Sequence, residues 1–517
     1  LFFRDYLANY QTPGTNHSRK ASDSIPWLLF PVLFLIGKAA TPQTVTTVYS
    51  FAGPDGSTPN AGLTMGADNN LYGTTFSGGA VNQSGTIFEI TNAGALTSIY
   101  SFSGPDGSSP HGALALGSDG NFYGSTYSGG ANNLGTVFKI TPAGILTTLH
   151  SFIGTDGAYP LAGLTAGANG DFYGSTVGGG ASGNGTIFTI DSGGTLTTIY
   201  NFSGVDGSAP YAALTPGSDG NFYGATESGG ANSYYGTLFR ITPAGALTTI
   251  YSFAFTDGSS PYASLTAANG LFYGTASNGG ADTQYGTVFS VTSTGALTSL
   301  HNFSGPDGSV PGAALTVNSN GIFYGTSIGG GANYQYGTVF QLTPGGTLTT
   351  LHSFHGTDGA NPTGSLSFGS DGNLYGTTSG GGLNGYGTVF RLPTCSSCTA
   401  TSLISSANPS IDGTAVTLTA EVTAVAGGGT PNGTVVFKDG SSRLGSATLA
   451  GGTASVTSSA FTQGAQTVSA TYLGNKSFQP SSGTLTQQVN SSEDAIRAAS
   501  SLHEHDRDGQ ANATSER

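Results

Sequence analysis

Cysteine is almost missing from this 517-residue chain, and the two present are poorly placed for cysteine chemistry. Cys395 and Cys398 stand in Pro393-Thr-Cys-Ser-Ser-Cys-Thr399. A dithiol redox centre sits at a helix N-terminus after a strand–helix unit, and no helix-forming sequence surrounds this pair. A zinc site would need further ligands close by, and the neighbourhood has none. The remaining reading is a small disulfide loop, Cys395–Cys398, at a junction between domains. Positive charge is scarce too. The chain has 13 Lys and Arg against 27 Asp and Glu, a net charge of −14. Between 41 and 392 only Lys139, Arg240 and Arg391 are basic. Such a surface repels phosphate backbones and anionic membranes, which excludes nucleic acid as a partner. Long apolar runs are limited to Trp27–Ile36, about ten residues and too short to span a bilayer. Arg19 and Lys20 precede it and Gly37-Lys-Ala-Ala40 follows, so 1–40 reads as an export signal and the mature chain as no integral membrane protein. No Gly-x-Ser-x-Gly elbow, His-Glu-x-x-His helix, phosphate loop or calcium loop occurs, so no cofactor and no resident metal are expected.

What the chain has in abundance is glycine, 85 residues, and repetition. Gly-Thr-(Val/Ile/Leu)-Phe begins at Gly85, Gly135, Gly185, Gly236, Gly286, Gly337 and Gly387, at spacings of 50 or 51. Tyr-Gly recurs from Tyr72 to Tyr375, and an aromatic-x-Phe marker occurs at Tyr49, Tyr100, His150, Tyr200, Tyr251, His301 and His352. A period of this length built from short strands means a solenoid or a propeller. One unit, from Tyr100 to Phe152, holds four strands of 4–7 residues separated by Gly/Pro/Asp turns, which is a meander. Adjacent apolar residues such as Val137-Phe138 call for burial on both faces of each sheet. The residue after that Phe varies (Glu89, Lys139, Thr189, Arg240, Ser290, Gln341, Arg391) and is expected to face solvent.

Four-stranded units arranged radially make propeller blades. The chain opens on a lone outer-strand motif, Val45–Phe51, and its last unit lacks one, ending at Gly387–Leu392. The expectation is therefore all-β: a seven-bladed β-propeller over 41–393, whose N-terminal strand completes the last blade and leaves no open edge. The turns carrying Asp55 and its equivalents then share a face with the long Gly/Asn loops. Beyond a linker at 394–400 the period stops. Residues 401–490 read as seven strands, from Thr401–Ser406 to Thr484–Val489, the pattern of an immunoglobulin-like sandwich. Residues 491–517 read as a polar, disordered tail.

The unit marked by Tyr-Ser-Phe, Asp-Gly, Asn-x-Tyr-Gly-(Thr/Ser)-Thr, Gly-Gly and Gly-Thr-Val-Phe-x-Ile resembles the GloVer tandem repeat of exported bacterial proteins, over about 45–392. Thr401–Pro409, Pro431–Gly440 and Val468–Tyr472 resemble a bacterial Ig-like domain, over about 399–489. The resemblance implies an exported, surface-associated bacterial protein and brings no catalytic residues.

Two sets of side chains are candidates for function. Asp55, Asp106, Asp156, Asp206, Asp257, Asp307 and Asp358 would form a carboxylate ring able to attract cations, if they do not simply cap their own turns. Asp206, Tyr234, Tyr235, Tyr285, Tyr334 and Tyr336 would supply a contact face on the long-loop side, since aromatic rings suit sugars and peptides. His150, His301 and His352 stand where other units have Tyr and read as packing substitutes; His111 and His355 read as solitary. Glu227, the one acid at its loop position, reads as surface variation. The expected function is noncatalytic binding, adhesion or scaffolding outside the cell, toward a glycan or a surface protein. The alternative is a polysaccharide hydrolase or lyase.

Overall fold

The computed structural model describes residues 45–491, apart from 233, 282–283, 333–334, 394–398, 425–428 and 476–477. The export segment 1–40, the pair Cys395/Cys398 and the tail beyond 491 lie outside the described residues. Within them every regular element is a β-strand, and none of the described segments is a helix able to cross a membrane.

Each repeat folds into its own antiparallel sheet, with spatial order equal to chain order. In the first, Thr64–Met65, Leu71–Thr75, Thr86–Ile90 and Leu96–Ser101 run from the innermost strand to the outermost. Turn chemistry fixes the meander. The Thr91 N–H bonds Ala95 O and the Gly94 N–H bonds Thr91 O, with Gly94 at φ 91°, a conformation that suits glycine. The third and fourth strands of every sheet share a register shift, which leaves Ile99 unpaired between Ser98 and Tyr100. One sheet gains a fifth short strand, Ser108–Pro110. Thr46–Ser50 pairs with Thr388–Leu392, placing Thr46 opposite Arg391, so the first strand completes the last sheet.

The adjacent apolar residues point to different neighbours. Leu71, Phe88 and Ile90 pack with Tyr375 and Val389 of the last sheet, whereas Tyr72 and Ile87 pack with Phe122, Phe138 and Ile140 of the next. The same division recurs along the chain, and Val45, Phe390 and Leu392 meet Tyr324 and Val339. Sheet-to-sheet clusters thus follow one another and return to the start. The fold is propeller-like.

Hydroxyl groups clasp the sheets near their inner edges. Thr64 donates to Leu114 O (2.6 Å), Thr165 to Leu214 O, Thr215 to Leu265 O, Thr266 to Leu315 O and Thr316 to Leu366 O. Ser367 returns the series to Leu63 O at 2.5 Å. A second series includes Ser125 to Ala162 O (3.0 Å) and Thr377 to Ala61 O (2.9 Å). Ala115 occupies the one position of the first series without a hydroxyl. Ala115→Thr should supply the missing bond to Leu164 O and add about 0.5–1.5 kcal/mol. A rise in Tm for this variant, absent for Ala115→Val, is the expected result.

The variable position after the conserved Phe departs from expectation. Glu89, Lys139, Arg240 and Arg391 are half-buried and Ser290 is buried, because each pairs across strands with the Tyr of the second strand, as Tyr72 opposite Glu89. Asn70 donates to Glu89 at 2.6 Å and Lys139 meets Asp119 at 3.1 Å, so these side chains serve the short-turn side.

Residues 399–490 form two further sheets. Thr399–Ser405, Val416–Ala424 and Thr453–Ser458 make one; Ser410–Ile411, Ser481–Asn490, Gly464–Tyr472, Thr434–Asp439 and Ser442–Thr448 make the other. Alternating residues Val416, Leu418, Ala420 and Val422 enclose a core with Val435, Phe437, Val468 and Ala470. The count is eight strands rather than seven. The additional one, Ser410–Ile411, is two residues long and pairs in parallel with Val489 and Asn490.

Candidate ligand-binding site

Each of the seven aspartates lies in the turn that leaves an outermost strand. Oδ1 accepts the backbone N–H of the residue three positions earlier, Ala52, Ser103, Ile153, Ser203, Ala254, Ser304 or His355, at 2.8–2.9 Å. Oδ2 accepts the hydroxyl of Tyr49, Tyr100, Tyr200 or Tyr251, or the Nε2–H of His150, His301 or His352. The cap reaches backward to the strand, the opposite direction to an Asx turn. Burial, and then the hydrogen bond to Asp, push these tyrosines up to about 12. Against the opposing effect of burial, bonds from Tyr100 and Ser103 hold the Asp106 carboxyl low. Asp55, Asp106, Asp156, Asp206, Asp257, Asp307 and Asp358 therefore serve the turns that carry them. The histidines of the marker position are paired as well as packed, with His352 edge-on to Phe354 at 4.9 Å.

The expected tyrosines are spread along the long-loop face. Tyr234 is 77% exposed and Tyr285 46%. Tyr235 leans on Phe255, centroids 5.5 Å apart, and Tyr336 lies against Gly356. Backbone carbonyls of Tyr235, Tyr285 and Tyr336 accept N–H groups from Ser260, Val310 and Asn361, which ties each to the following repeat. Tyr334 falls outside the described residues.

A different set converges. In two places the residue that follows a second strand meets the residue after the Pro of the next repeat. These pairs are Phe76 with His111, rings edge-on at 6.1 Å, and Glu227 with Tyr262. Tyr262 donates to Glu227 Oε1 at 3.2 Å and stands edge-on to Tyr211 at 5.4 Å. Tyr211 in turn acts on Glu227 and feels Tyr127, which stacks on Tyr159 at 5.1 Å. The same two positions in the other direction carry Ser277, Gly312, Ile328, Thr363, Ser379 and Asn60, which apart from Ile328 are small or short polar groups. Aromatic and acidic residues at these two positions are Phe76, His111, Tyr127, Tyr211, Glu227 and Tyr262. Burial raises the Glu227 carboxyl while the tyrosine hydrogen bonds lower it, and burial dominates. Glu227 is half-buried rather than surface variation. Burial and Glu227 push Tyr211 up, and burial lowers the imidazole of His111 to about 4. The arc presents flat rings and neutral-leaning hydrogen-bonding groups.

Fold and site define a propeller-like repeat protein with one differentiated arc on its long-loop face. The chain belongs to the Gloeobacter/Verrucomicrobia repeat family, whose pattern matches residues 35–235, 154–333, 216–447 and 282–491. No curated protein matches the sequence. Among solved structures, the extracellular domain assigned to a hybrid two-component system of B. thetaiotaomicron is similar with a TM-score of 0.52 and 12% identity, over 87% of this chain and 59% of that one. This chain therefore spans about three fifths of that structure's length. A gluconolactonase from Xanthomonas campestris is 15% identical over 60% of this chain and 89% of its own, with a TM-score of 0.37. At 12% identity the first of these likenesses is one of fold.

Proposed function

We propose that the protein is an exported, noncatalytic binding protein. It would be a seven-bladed β-propeller followed by an Ig-like sandwich, and it would hold an extracellular glycan at the arc formed by Tyr127, Tyr159, Tyr211, Glu227 and Tyr262. The carrying observation is the contact of Tyr211, Glu227 and Tyr262, a cluster not repeated in every unit, since one ligand needs one site and a structural requirement recurs in every unit. Tyrosine faces match the apolar faces of pyranose rings, and phenol and carboxyl groups match their hydroxyls. Export is supported by the basic-apolar-small pattern of Arg19 to Ala40.

Screening the exported protein on a glycan array, with a product assay on the same polysaccharides, tests this reading. Tyr211→Ala with Tyr262→Ala should weaken binding at least tenfold, about 1.4 kcal/mol, with little change in Tm. Tyr234→Ala with Tyr285→Ala should leave binding intact. Turnover abolished by Glu227→Gln would establish the enzymatic alternative instead.

A further inference from the structure

The turn at 352–358 carries one residue that none of its six equivalents has at that position. The position three before the aspartate holds Ala52, Ser103, Ile153, Ser203, Ala254 and Ser304 elsewhere, and His355 here. Two imidazoles and one carboxylate therefore coincide in a single turn. His352 Nε2 lies 2.8 Å from Asp358 Oδ2, and His355 Nδ1 lies 3.6 Å from the same oxygen. The three ligand atoms all fall within 4.8 Å of one another. We propose that His352, His355 and Asp358 bind a divalent transition-metal ion of the zinc type, with the remaining coordination position open to solvent.

Nitrogen and oxygen ligands reach such an ion at about 2.0–2.2 Å, which places tetrahedral neighbours about 3.3 Å apart. The two separations from Asp358 Oδ2 bracket that spacing. The carboxylate is already aimed: Asp358 Oδ1 is held by the His355 N–H at 2.8 Å, leaving Oδ2 toward the rings. Packing of His352 against Phe354 fixes the first imidazole, whereas His355 is exposed and gives the ion a way in. Imidazole and carboxylate ligands favour zinc, copper or nickel over calcium or magnesium. The site lies away from the Tyr211–Glu227–Tyr262 arc in sequence and does not depend on the glycan reading.

The molecule contains its own controls. His150–Asp156 and His301–Asp307 repeat the pair without a third ligand. Ile153, 61% exposed, stands where His355 stands. Titrating the full chain with Zn²⁺ by calorimetry, and with Co²⁺ by visible absorption, should show one equivalent bound with a tetrahedral cobalt spectrum. His355→Ser installs the residue of three other repeats, so the fold is kept, and affinity should fall at least tenfold. Ile153→His should raise the stoichiometry from one to two. Undiminished binding in His355→Ser, no binding by the parent chain, or binding lost on changing His503 and His505 to Ala would each overturn the assignment. So would an Ile153→His chain that still binds one equivalent.

Discussion

Replacing Phe51 with alanine should destabilise the protein by about 3–5 kcal/mol, as much as Phe202→Ala in the middle of the chain. Both rings are fully buried, and both stand edge-on to the conserved Phe of a third strand: Phe51 to Phe88 at 5.3 Å and Phe202 to Phe239 at 5.4 Å. In a closed ring the terminal Phe has the same neighbours as an internal one. In an open array the first strand would lie at a frayed end, where stability is local and small. Denaturant unfolding of both variants decides the matter. A loss below about 1 kcal/mol at Phe51, beside the full cavity cost at Phe202, would show that Thr46–Ser50 does not hold the last sheet.

The second large effect is expected at Gly224, the residue after the conserved Tyr. A Cβ there would lie 2.5 Å from Phe239 Cζ and 3.0 Å from Leu214 Cδ2. Both side chains are buried between sheets, so the clash cannot be relieved by swinging into solvent. Gly224→Ala should cost about 1–3 kcal/mol by overpacking. Phe239→Leu removes the ring that meets the new methyl, so the double variant should be more stable than the sum of the single losses. Additive losses in that double-mutant cycle would place the strain elsewhere. The glycine therefore recurs in every repeat because a ring rests on it, and the Tyr-Gly marker reports packing as much as turn chemistry.

The repeat, the four-stranded unit and the return of the first strand were legible because they follow from spacing and turn residues, which recur seven times. The innermost strand of the second unit, Ala115–Leu116, is two residues long, short of the four to seven expected of each strand. Gly112 and Ala113 instead press against the backbone of Ala162 and Gly163 in the next sheet, a contact no local pattern contains. Capping by the aspartates was legible in kind; that the partners precede the turn was not, since it depends on how the strand enters it. The Glu227 arc was not legible, because Tyr262 comes from the repeat after the one that holds Tyr211 and Glu227. Each looks like a lone deviation until neighbouring sheets bring them together. Two columns of the repeat, the residue following the second strand and the residue after the Pro, held the signal. Ser410–Ile411 escaped because a two-residue parallel pairing with Val489 and Asn490 leaves no periodicity to read.

The pairing of Thr46 with Arg391 also orders events during synthesis. Units made early can pair internally as they emerge, but the last sheet stays one strand short until the chain has been made through Leu392 and the segment at Thr46–Ser50 returns to it. Closing so distant a pair is slow, and until then two strand edges stand open to aggregation or proteolysis. A prematurely ended copy keeps those edges permanently. The ring is in this sense a test of the chain's own completeness, passed only when both ends of the repeat array are present.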